Sequence, residues 1–113
     1  MMQENTHAPK VGSGSPWGAV RSRRHIGRGC YVVETASHGG VWVPQDQLED
    51  IPDAWRHFGE RWAHGWGEQW YEEDCAALGP FHYLKLCHGS KQEDLVAELV
   101  ALQETRWSKE DQQ

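Results

Sequence analysis

The chain has 113 residues, a formal net charge of −6 and a mean hydropathy of −0.78. That length builds one modest core with no separate cofactor domain, and the charge argues against a general phosphate-binding surface. No apolar run approaches the roughly 20 residues that span a bilayer, and no N-terminal stretch has the form of a signal peptide, so the expectation is a cytoplasmic protein that does not contact membrane.

Residues 1–16 are polar and punctuated by Pro9, Gly12, Gly14 and Pro16. They read as a flexible leader. The segment Trp17–Arg24 alternates weakly, in the manner of an edge strand, and Gly27 and Gly29 bracket a turn. Its basic run, Arg21, Arg23, Arg24, His25 and Arg28, reads as a solvated strand–loop face. CYVVET, residues 30–35, is β-branched and aromatic and carries the strongest strand signal in the chain. VWV, residues 41–43, is the next strand. The intervening Ser37-His38-Gly39-Gly40 predicts a tight hairpin turn made by its glycines. Pro44 then ends the pairing.

From here the pattern turns helical. PQDQLEDI predicts a short helix with Pro44 near its start. Trp55, Phe58, Trp62, Trp66 and Trp70 recur at spacings of three and four. Gly65 and Gly67 interrupt them, which predicts one helix over about 53–63 and a second over about 68–78, stopped by Gly79-Pro80. FHYLKLC, residues 81–87, fits strand or helix. Ser90 and Glu93 have capping-box spacing. Leu95, Leu99 and Leu102, with Val96 and Val100 beside them, predict the apolar face of a last helix running to about Thr105. The tail, 108–113, is polar. The fold class expected is α+β: one domain over 17–107, with a small antiparallel sheet of about three strands packed by three or four helices.

Cys30, Cys75 and Cys87 are odd in number and contain no C-x-x-C pair, against both a disulfide framework and a four-cysteine zinc site. Unpaired thiols fit a reducing compartment. The seven histidines include no H-x-x-x-H or H-E-x-x-H pair, so no metal is expected. Gly12-Ser13-Gly14-Ser15 lacks the strand before it and the lysine after it that a phosphate loop needs. There is no Gly-x-Ser-x-Gly elbow. No cofactor is expected.

Two short stretches could carry chemistry. His38 in its Ser-His-Gly-Gly setting is either a turn residue or an imidazole presented for proton transfer. Glu72, Glu73 and Asp74 either favour the positive end of a helix, or one of them turns inward to orient His38 or to hold a metal. Cys75 is expected to be a packed, mostly buried residue of the 68–78 helix. If the protein is an enzyme, a small hydrolase using His38 with Asp74 or Cys75 is the form it takes.

Trp17-Gly18, Ser37–Gly40 and Tyr71–Cys75 together resemble an uncharacterised family of small domains carried by phages, plasmids and bacterial accessory genes. The tryptophan that family places two residues after the cysteine is Ala77 here. The resemblance implies an α+β domain in which the two motifs meet in space. It also suggests a setting: a small acidic interaction protein of a mobile element, binding and blocking a host nucleic-acid-handling machine as anti-CRISPR proteins do. The expected partner is a host protein with a basic surface, not nucleic acid itself. The expected contact residues are Glu60, Glu68, Glu72 and Glu73, with Trp55, Trp62 and Trp66 as partly exposed anchors.

Overall fold

The computed structural model describes residues 7–111, with only the backbone of Asp111. Four antiparallel strands form one sheet in the order β1-β2-β3-β4: β1 Ser22–Gly27, β2 Cys30–Glu34, β3 Gly39–Trp42 and β4 Trp70–Glu72. Between β3 and β4 lie a 3-10 turn, Gln45–Asp50, and the helix α1, Asp53–Arg61. After β4 come α2, Leu78–Tyr83, and α3, Glu93–Asp111. The α+β class holds, with one strand more than the three expected.

Strand alternation explains why the sheet is covered on both sides. Cys30, Val41 and Tyr71 face the larger core, where Trp55, Ile51 and Leu84 pack with Val96 and Val100 of α3. Val33, Trp42 and Trp70 face a second cluster that holds Val20 and Ala8 against Trp17. The β1–β2 turn is the one the glycines foretell: Gly27, Arg28 and Gly29 all have positive φ, of 117°, 50° and 77°. The basic run beside it is partly neutralised. Arg23 stacks over Tyr31 at 4.8 Å and donates to Pro9 O, and Arg28 pairs with Asp50 at 2.8 Å.

Several expectations are corrected. The segment 68–78 is not a helix. Trp70–Glu72 is extended and pairs with β3 in the register Gly40↔Glu72, Val41↔Tyr71 and Trp42↔Trp70. The tryptophan spacing that suggested a helix there comes from α1 and the turns after it, and pairing to the β3 edge decides the rest. Gly79 and Pro80 do not stop a helix but lie inside α2, where a Cβ on Gly79 would stand 2.9 Å from the Trp55 ring. Residues 81–83 are helical and 84–89 form turns.

Gly39-Gly40 is not the hairpin turn. Both glycines belong to β3, and the reversal is made by residues 35–38, closed by Thr35 N–H donating to His38 O at 2.9 Å. The leader reading also changes. Residues 1–6 lie outside the described residues, but Ala8, Pro9 and Ser15 are buried, and Gly12 and Val20 are bonded backbone to backbone at 2.8 Å.

At the other end α3 continues past Thr105 to Asp111, so 108–111 of the expected tail are helical, and 112–113 lie outside the described residues. Ser90 and Glu93 do not close a reciprocal box. Ser90 Oγ accepts from Gln92 N–H, and the Glu93 carboxylate takes Gly89 N–H and the His88 ring. On α3, Val96 and Val100 are buried, whereas Leu95, Leu99 and Leu102 are 48%, 38% and 62% exposed. The leucines therefore do not face the core.

Candidate binding cleft

The two motifs that flank β3 and β4 meet. Glu73 N–H donates to Gly39 O at 3.0 Å, extending the ladder beyond Glu72. A Cβ on Gly39 would stand 2.7 Å from Val33 O and 2.9 Å from Glu73 Oε2. One on Gly40 would stand 2.5 Å from both Trp17 Cη2 and Tyr71 O. Neither glycine has positive φ. Their role is close approach: Trp17 lies directly on β3, where any side chain would collide with it.

Thr35, which the sequence reading passed over, builds the turn that carries His38. Its hydroxyl accepts from the N–H groups of Ser37 and His38, and the Oγ1 lies 2.6 Å from His38 O. The Ser37 hydroxyl donates to Trp17 O at 3.2 Å, and Trp17 Nε1 donates to Trp62 O at 3.0 Å. The signal available in the sequence was a threonine at the first position of a turn, where its oxygen can satisfy the next amides.

Across the cleft, the Glu72 carboxylate accepts from Asp74, Cys75 and Ala76 N–H at 2.9, 2.8 and 3.2 Å. These bonds hold the turns of 73–77 and commit Glu72 to the backbone rather than to a ligand. With the polar edge so arranged, Cys75 is exposed rather than buried. The reason for the correction is again β4: with no 68–78 helix, Cys75 has no inward helix face to occupy.

Between the two turns is an open cavity of about 460 Å³. Trp17, Phe58 and Trp62 supply its aromatic walls. His38, Asp74 and Cys75 border it together with Glu72, and so does His64, which is held at a left-handed φ of 50° after α1. All three residues named for hydrolase-like chemistry thus line one cleft.

The residues expected to contact a partner are divided. Trp62 and Trp66 are 48% and 50% exposed, while Trp55 is fully buried and is corrected from surface anchor to core. Trp66 meets Trp70 edge-on at 6.1 Å, and Trp70 meets Trp17 at 5.8 Å, so a chain of three indoles runs from the surface at Trp66 to Trp17 beside the cleft. Glu60 and Glu73 are exposed, whereas Glu68 is half-buried and faces Arg56 at 3.7 Å.

The other two thiols are less exposed than Cys75, with Cys30 buried and Cys87 half-buried. Burial pushes the Cys30 thiol up to about 12, and burial also raises Cys87, whose thiol donates to Phe81 O. Among the described residues no group of three or more His, Cys, Asp or Glu side chains is placed to hold a metal ion, and no helix is long and apolar enough to cross a membrane.

Residues 10–112 match the model of a family described as a domain of unknown function, DUF7007. No curated protein and no solved structure matches the chain. The family match takes in the packed N-terminal segment, the sheet, the cleft and α3 alike, and the chain therefore belongs to the DUF7007 family.

Proposed function

We propose that this domain is a small acidic interaction module and that its cleft receives a basic side chain of a partner protein. The observation that carries the reading is the composition of the cleft: Trp17, Phe58 and Trp62 form aromatic walls beside the Asp74 carboxylate. Ring faces and a carboxylate together favour a guanidinium or ammonium group, by roughly 0.5–2 kcal/mol per cation–ring contact. The net charge of −6 speeds encounter with a positively charged surface. Machines that handle nucleic acid present such surfaces. The resemblance to phage- and plasmid-borne domains makes a host defence complex the target class, inhibited by occupation of its nucleic-acid groove. In this reading the domain binds no nucleic acid, uses no cofactor and performs no chemistry.

The hydrolase-like alternative is kept because His38, Asp74 and Cys75 border the same cleft. One comparison separates the two in a target-inhibition or phage-survival assay, with circular dichroism confirming folded protein. The binding reading expects Trp62→Ala and the triple reversal Glu60→Lys, Glu73→Lys, Asp74→Lys to lose activity, the latter with a salt-dependent fall in association rate. It expects His38→Ala and Cys75→Ser to retain activity. Loss on His38→Ala or Cys75→Ser with the charge reversal intact overturns it in favour of catalysis.

A further inference from the structure

α3 has two apolar faces, and only one is used. Val96, Val100 and Trp107 pack inward with the larger core. Leu95, Leu99 and Leu102 stand on a second stripe, all exposed. At about 100° per residue that stripe continues through Arg106 and Lys109, all within roughly 80° of arc. Its steps are four, three, four and three residues, which is the a/d seam of a two-helix coiled coil.

We infer that this stripe pairs with its own counterpart on a second copy of the chain, with the two α3 helices antiparallel. The charges choose the occupant and the direction. Setting Leu99 against Leu102 of the second copy, and the reverse by two-fold symmetry, places Arg106 opposite Leu95. There the arginine stem covers the leucine, and its guanidinium reaches the acidic N-terminal half of the other helix, which carries Asp94 and Glu98. The same register brings Glu110 to the turn that precedes the other α3, where Lys91 lies. A parallel pair would put Arg106 on Arg106 and Lys109 on Lys109, and like charges facing each other in a seam disfavour it. Three leucines per helix make a small contact, so the dimer is weak, with a dissociation constant of about 10–100 µM. This surface is independent of the cleft.

The test is sedimentation of the full chain from about 5 to 500 µM, spanning the dissociation constant expected of so small a contact. The weight-average mass should rise from 12.9 kDa toward twice that value. Leu99→Glu with Leu102→Glu should remain monomeric with an unchanged circular dichroism spectrum, since both leucines are exposed. Orientation is read by oxidative cross-linking in a Cys75→Ser, Cys87→Ser background. Leu99→Cys mixed with Leu102→Cys should give a covalent heterodimer, and Leu95→Cys alone should give none. A wild type that stays monomeric throughout, a double-glutamate variant that dimerises as well as wild type, or cross-linking of Leu95→Cys to itself overturns the proposal.

Discussion

The Trp55 indole N–H donates to Glu104 Oε2 at 2.9 Å, joining α1 to α3 across 49 residues of sequence. The Tyr83 hydroxyl of α2 donates to the same oxygen. Trp55 is fully buried and touches Phe58 and Trp107 edge-on, at 6.0 and 4.9 Å between ring centres. One carboxylate therefore satisfies the polar atoms of two aromatic side chains at the junction of all three helices.

Glu104→Ala should destabilise the fold by about 2–3 kcal/mol, because it removes two hydrogen bonds to a charged acceptor and leaves a buried indole N–H unpaired. Glu104→Gln should cost less, since its amide oxygen still accepts. Urea unfolding of the three proteins checks the order.

Gly40→Ala should be among the most damaging single-methyl changes in the chain. Its Cβ would stand 2.5 Å from backbone and ring atoms together, and overpacking of this kind costs about 1–3 kcal/mol or more. His38→Ala, two residues away and exposed, should change stability by less than about 0.5 kcal/mol. Equal losses for the two variants would remove close approach as the reason for the glycine pair.

Thiol labelling of the native protein should follow exposure. Cys75 should react first, Cys87 more slowly, and Cys30 only on unfolding. Mass spectrometry of a time course with an alkylating reagent distinguishes the three sites.

Stability should fall at alkaline pH. Burial holds the Cys30 thiol at about 12 against an ordinary 9.0, and burial with the Glu104 hydrogen bond holds Tyr83 at about 12 against 10.0. Both folded-state values are raised, so the unfolded chain binds fewer protons between the two values. The stabilisation is complete below about pH 9 and is lost progressively from there through about pH 12. Thermal melts across this window should show the decline, and Cys30→Ala should flatten its lower part.

Glu72→Ala should loosen the turns that carry Asp74 and Cys75, since three backbone N–H groups lose their acceptor. A loss of about 1–2 kcal/mol is expected, comparable with deletion of a helix cap. Faster amide hydrogen exchange at residues 74–76 would locate the effect.

What the sequence determined by itself is what local chemistry decides. The β-branched run at 30–34 makes β2 whatever it pairs with, Gly27 and Gly29 supply the positive φ of the β1–β2 turn, and the composition of 53–61 makes α1. The meeting of the Ser-His-Gly-Gly and Glu-Glu-Asp-Cys segments was expected from the resemblance, and the pairing of β3 with β4 is what brings it about. Tertiary structure decided the rest, because those choices depend on distant partners. Trp70–Glu72 is a strand because the β3 edge offers it hydrogen bonds, a pairing invisible in a three-residue element. Gly39 and Gly40 are strand residues because Trp17 and β4 close on them from elsewhere in the chain. On α3 the spacing pointed to Leu95, Leu99 and Leu102 as the apolar face, and only packing against Trp55 and Leu84 selects Val96 and Val100 for the core, leaving the leucines outside.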